Sequence, residues 1–143
     1  MNGLICGTCN YAALGEEAPE KCPVCGSPKT VFVLKENVLK TAADEADKVE
    51  KHSPVIVVNK QCGLIEGCVD VHVKVGEVLH PMEKEHFIVF IDCYLNNEFV
   101  SRVHLTPGSL NPAAGLHLKE SSGNFTAIEF CNLHGHWITE KEL

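Results

Sequence analysis

After Pro54 the chain changes from a charged, cysteine-bearing texture to short β-branched runs. Val55 to Val58 is unbroken apolar. Between Cys68 and Val75, the residues Val69, Val71, Val73 and Val75 alternate with Asp70, His72 and Lys74, the period of a strand with one buried face. His86 to Leu95 reads as a longer strand, apolar on both faces. Cys93 shares a face with Phe87, Val89 and Ile91, which predicts a buried thiol. Asn96-Asn97 predicts a hairpin turn, with Glu98 to Leu105 as the return strand. Thr106 to Ala114 holds two prolines and a glycine and predicts a loop. Beyond a turn at Ser121–Asn124, Phe125 to Cys131 predicts a last strand. Several short strands joined by turns make the chain mainly β, an antiparallel sandwich of the immunoglobulin-like kind.

The part before Pro54 divides in two. Residues 1–35 carry four of the eight cysteines and read as a small separate module. Residues 36–48 read as a linker. A short helix is expected there, started by Thr41 with Asp44 three residues on, and residues 49–143 form the sandwich.

Composition narrows the function classes. The net charge of −7 and the lack of a Lys/Arg block argue against nucleic acid and anionic membrane as partners. No apolar run is long enough to span a bilayer, and Met1 to Cys6 lacks a basic-then-apolar leader pattern, so a cytoplasmic location is expected. In a reducing compartment clustered cysteines are more often metal ligands than disulfides.

Cys6-x2-Cys9 and Cys22-x2-Cys25 can place four thiolates on a tetrahedron, suited to one zinc or one iron. Gly26 follows Cys25 and Asn10 follows Cys9, the residues most tolerant of the positive φ such knuckles need. Pro23 stiffens the second loop. The stretches Cys6-Gly7-Thr8-Cys9-Asn10-Tyr11 and Cys22-Pro23-Val24-Cys25-Gly26 resemble a rubredoxin-like domain, the short form found at the end of rubrerythrins. That resemblance implies iron on four cysteines and one-electron transfer. A structural zinc ribbon is the alternative.

The remaining chemistry lies in three places: Glu50-Lys51-His52-Ser53-Pro54, His80-Pro81-Met82 running on to His86, and Cys131-Asn132-Leu133-His134-Gly135. Singly each is weak. Together, in this order, they closely resemble the superoxide reductase family of neelaredoxins and desulfoferrodoxins, over roughly residues 45–143. The resemblance implies a mononuclear iron with His52, His80, His86 and His134 as equatorial ligands and Cys131 as the axial one. It implies one-electron reduction of superoxide to hydrogen peroxide at an open sixth position. Lys51 would attract superoxide and Glu50 would close the sixth position in the ferric state. Asn132 would orient the cysteine loop or hydrogen-bond the thiolate. An external donor such as a rubredoxin would re-reduce the iron, and a homodimer is expected by the same resemblance. Desulfoferrodoxins have an adjacent second cysteine pair in the small domain, whereas Cys22 and Cys25 stand two residues apart.

Cys62, Cys68, His72, His104, His117 and His136 are left without a role. Cys62 and Cys68 bracket an insertion between His52 and His80, as free thiols or as a redox-labile disulfide. His72 is expected at the surface and Trp137 in the core. Two other function classes remain: a non-catalytic iron electron carrier, and a zinc-stabilised interaction module.

Overall fold

A computed structural model describes all residues, 1–143. Strands β1 (Gly3–Cys6), β2 (Ala12–Ala13) and β3 (Phe32–Lys35) form a small sheet in the order β2-β1-β3 around the first four cysteines. Asn10 and Gly26 have φ of 64° and 77°, as the knuckle reading requires.

The segment expected as a linker is tied down. Leu39–Lys40 is a short strand, β4, and Leu39 is buried. Helix α1 runs from Ala46 to His52, not from Thr41. The Asp44 carboxylate accepts from the Thr41 backbone N–H at 2.6 Å and its hydroxyl at 2.8 Å. Those bonds close an isolated turn, and the helix starts one turn later. It stops at His52 because Pro54 excludes helical geometry at Ser53, whose ψ is 124°.

Then follow β5 (Pro54–Asn59), β6 (Val69–Val75), β7 (Ile88–Leu95), β8 (Glu98–His104), β9 (Ala113–Leu118), β10 (Asn124–Cys131) and β11 (Gly135–Glu142). They build two facing sheets, β4-β11-β10-β7-β8 and β5-β6-β9, antiparallel except where β4 runs beside β11. The sandwich is as expected, and Asn96 and Asn97 take φ of 51° and 67° in the hairpin. Three expectations need correction. Phe125–Cys131 is not the last strand, since β11 follows and pairs with it along its whole length. Ala113–Leu118 is a strand, although Ala-Ala-Gly has little β propensity, because β6 supplies its ladder. The strand expected from His86 starts at Ile88; His86 sits in the turn before it.

Val69, Val71, Val73 and Val75 fill the space between the sheets with Ile91, Cys93 and Phe125. A second core lies on the outer face of the larger sheet, where Tyr11, Ala12 and Cys22 of the small module pack on Tyr94, Ile128 and Ile138. This explains why β7 is apolar on both faces. Three sandwich side chains hold carbonyls of the Cys9–Ala12 segment. Arg102 Nη1 donates to Cys9 (2.9 Å), His136 Nε2 to Asn10 (2.8 Å) and the Tyr94 hydroxyl to Ala12 (2.8 Å). Arg102 also grips the fully buried Asp92 through two bonds of 2.6 and 2.8 Å.

Candidate metal centres

In the small module Cys6 Sγ lies 3.7 Å from Cys25 Sγ, and Cys9 Sγ lies 3.6 Å from Cys22 Sγ. Thiolates on a tetrahedral metal at ~2.3 Å stand ~3.8 Å apart, so the spacing fits one ion. Cys6 and Cys22 are buried against the sandwich, while Cys25 is exposed. Side-chain and backbone hydrogen bonding between Cys25 and Ser27 lowers the Cys25 pKa to about 6. Burial raises Cys22.

The second centre lies at one end of the sandwich, where α1, two loops and the β10–β11 turn meet. His52 is the last residue of α1. His80 is buried in the loop after β6, with its N–H on the Val75 carbonyl at 3.0 Å. His86 closes a tight turn with Glu83, each N–H donating to the other's carbonyl at 3.0 Å. Cys131 ends β10 and pairs with Gly135, whose φ of 76° closes the turn that carries His134. The spacing Cys-Asn-x-His-Gly is therefore the spacing of one hairpin loop.

The four imidazoles form a square. Ring centres of neighbours are 4.7 Å apart for His52 and His80, 4.6 Å for His80 and His86, 5.0 Å for His86 and His134, and 4.8 Å for His134 and His52. The His52–His86 diagonal is 6.2 Å. Neighbouring rings are close to perpendicular. His52 Nε2 is 3.0 Å from His134 Nδ1 and 3.2 Å from His80 Nε2, and Cys131 Sγ is 3.6 Å from His134 Nδ1. Four nitrogens in a square around a metal at ~2.1 Å stand ~3.0 Å apart.

Backbone carbonyls fix the tautomers. His52 Nδ1–H donates to Lys48 at 2.9 Å and His80 Nδ1–H to Pro81 at 2.7 Å. Both Nε2 atoms then present lone pairs to each other, and no hydrogen bond can join them. His86 Nε2 is buried without any partner. Inward lone pairs and an orphaned nitrogen fit a cation at the centre of the square. Burial, reinforced by the neighbouring imidazoles, depresses His80 to about 4 and also lowers His52 and His134, so these rings are neutral and free to ligate. Burial raises the Cys131 thiol, opposed by the N–H groups of Leu133 and His134. Imidazole nitrogens together with a thiolate make a donor set for iron.

Supporting residues are also visible. Asn132 does not bond the thiol. Its Oδ1 accepts from Phe87 N–H and its Nδ2 donates to the Glu85 carbonyl, both at 3.0 Å, which ties the Cys131 loop to the His86 turn. Trp137 is fully buried, as expected, yet it also stacks on His52 at 5.2 Å and 26°. Glu50 and Lys51 lie exposed in the last turn of α1. Beyond burial and the neighbouring His86, Lys48 and Lys40 add positive charge near His134, opposed by Glu45, which pairs with both. No sequence pattern singled these two lysines out. His136 points away from the square, into the contact with Asn10. Glu129, cross-strand from Trp137, is a fully buried carboxyl without a partner, and burial raises its pKa well above the ordinary value.

The comparisons with known proteins agree with this geometry. The desulfoferrodoxin family model matches residues 44–140. The chain belongs to the desulfoferrodoxin family. A second model, the rubredoxin-like domain of rubrerythrin, matches residues 5–33. A desulfoferrodoxin of Syntrophotalea carbinolica is 40% identical over 116 residues, covering 81% of this chain and 76% of its own. A superoxide reductase of Pyrococcus horikoshii is 36% identical over 107 residues, covering 67% and 90%. Among solved structures, the superoxide reductase (neelaredoxin) of Archaeoglobus fulgidus in its reduced form superposes with a TM-score of 0.61 at 32% identity, covering 75% of this chain and 98% of its own. The Ignicoccus hospitalis superoxide reductase (neelaredoxin) gives 0.61 at 33% identity, covering 74% and 94%. Iron is the metal expected for the family, and both donor sets suit it. No helix is long and apolar enough to cross a membrane.

Proposed function

We propose that the protein reduces superoxide to hydrogen peroxide at an iron held by His52, His80, His86, His134 and Cys131. The observation that carries this reading is the square of imidazole rings, with the donor atoms of His52, His80, His86 and Cys131 within 4.8 Å of one another, two tautomers fixed by carbonyls and one nitrogen orphaned. Superoxide reductases among the relatives and structural neighbours support it. Ferrous iron bound there would supply one electron to superoxide, which leaves as hydrogen peroxide after gaining two protons.

The chain's own residues set the conditions. Cys131 is fully buried while His86 and His134 are half-buried, so superoxide would reach the site from the side of these two histidines. In a protein of net charge −7 an anion needs local attraction. Lys51, next to His52 on the exposed last turn of α1, would supply it, since Lys48 and Lys40 are both paired with Glu45. Glu50 would occupy the sixth position in the oxidised protein. Asn132 holds the ligand loops in register.

Cys6, Cys9, Cys22 and Cys25 would hold a second iron, which would supply one-electron transfer from an external donor such as a rubredoxin. His136 is two residues from His134 and bonded to the carbonyl beside Cys9, a short route between the sites. In this reading the protein works in the cytoplasm as a homodimer.

The test is metal content and visible spectra of oxidised and reduced protein, followed by superoxide turnover. About two irons per chain, with peroxide formed and no dioxygen, is the expected result. Absence of iron from the His/Cys site after iron-replete anaerobic expression overturns it. Unchanged re-reduction by the donor in a Cys9→Ser/Cys22→Ser variant rejects the relay alone.

A further inference from the structure

At the opposite end of β6 a third set of donors converges. Cys68 immediately precedes β6, and Asp70 and His117 are direct partners across β6 and β9. Cys62 is brought alongside by the 62–68 loop, joined to Cys68 by a disulfide. The seven residues of β6 separate this cluster from the His/Cys square by about 20 Å.

His117 Nδ1 is the hub. It lies 3.3 Å from Cys62 Sγ, 3.6 Å from Cys68 Sγ and 2.6 Å from Asp70 Oδ1. All four donor atoms fall within 4.8 Å of one another. Asp70 Oδ1 is buried and makes no well-aligned hydrogen bond, despite its closeness to the ring. The Leu64 N–H points at Cys62 Sγ at 3.4 Å, a contact that favours a thiolate. A cavity of about 360 Å³ opens beside Cys68 and His117.

We propose that, with Cys62 and Cys68 reduced, these residues form a third metal site for a thiophilic divalent cation of the zinc class. Two thiolates, an imidazole nitrogen and a carboxylate oxygen make a four-coordinate set suited to tetrahedral zinc. The Cα atoms are 5.3 Å apart. The sulfurs must part to ~3.8 Å to share an ion, and the exposed loop between them can open without disturbing the core. Disulfide and metal are alternative occupants of one position. Two thiolates, one hydrogen peroxide and two protons give the disulfide and two waters, and the cation is released. The site stands apart from the reaction proposed above and does not depend on it.

The test uses full-length protein with its iron centres loaded, held reduced by a phosphine, with cobalt(II) as probe. About one extra cobalt per chain is expected, with thiolate-to-cobalt and tetrahedral absorption, while iron content stays constant. Cys62→Ser and His117→Ala should each abolish that uptake. Added hydrogen peroxide should remove the absorption and release the cobalt. Reduced wild-type protein that takes up no more cobalt than a Cys62→Ser/Cys68→Ser variant overturns the site. Full uptake by His117→Ala overturns it as a built four-ligand site.

Discussion

His52 Nε2 and His80 Nε2 face each other across 3.2 Å while a backbone carbonyl holds the proton on the far nitrogen of each ring. Two lone pairs held this way repel unless a cation lies between them. The second centre is therefore built for an ion, and its folding is linked to that ion.

His52→Ala removes one corner of the square and leaves the four-cysteine site intact. Iron content should fall from about two per chain to about one. The tetrathiolate spectrum should persist and superoxide turnover should vanish. Metal analysis with visible spectroscopy separates the two centres.

Asn132→Ala cuts both side-chain bonds that join the Cys131 loop to the 85–87 segment. At about 1 kcal/mol for each bond, a loss of roughly 2 kcal/mol is expected in denaturant unfolding. A shifted thiolate-to-iron absorption band should accompany it, because the loop that orients Cys131 is freed.

Gly76→Ala tests the seat of the ligand helix. Gly76 has φ +89°, and a Cβ there would run into the Val78 carbonyl and lie 2.8 and 2.9 Å from the carbonyls of Lys51 and Glu50. The structure must shift α1, so a loss above ~1 kcal/mol and weaker iron retention are expected. Thermal unfolding of loaded and metal-free protein measures both.

Tyr94→Phe tests how the small module is held. Burial raises the Tyr94 pKa well above the ordinary value, and Asp92 adds to it. The folded form keeps the proton more strongly than the unfolded one. That contribution is complete below pH ~10 and is lost as pH rises above it. Wild-type stability should therefore fall at alkaline pH, and Tyr94→Phe should flatten the fall. Loss of the bond to Ala12 should cost the variant about 1 kcal/mol at neutral pH. Unfolding midpoints across pH give the answer.

The valine alternation of β6, the Asn96-Asn97 hairpin and the ordering of the ligand motifs could be read from residues alone because each is a local property of neighbours in the chain. β9 was hidden because Ala113-Ala114-Gly115 carries no strand signal of its own and takes its conformation from β6. β11 was hidden because its last four residues, from Thr139 to Glu142, are largely exposed and polar. Thr41 and Asp44 gave a true local bond but a false helix start, since the same bond closes a turn as readily as it caps a helix.

The sequence by itself determined which donors exist and how each loop spaces them: two Cys-x2-Cys knuckles, a helix ended by Pro54, and a hairpin closed by Gly135. Those are covalent and short-range constraints. Only the tertiary structure decided that the imidazoles stand in a square, that Asn132 braces the neighbouring turn, and that His136 serves the small module. It also brought His117 to Cys62 and Cys68 across 55 and 49 residues. Sheet register sets such distances, and register depends on which strands pair, which no local pattern encodes.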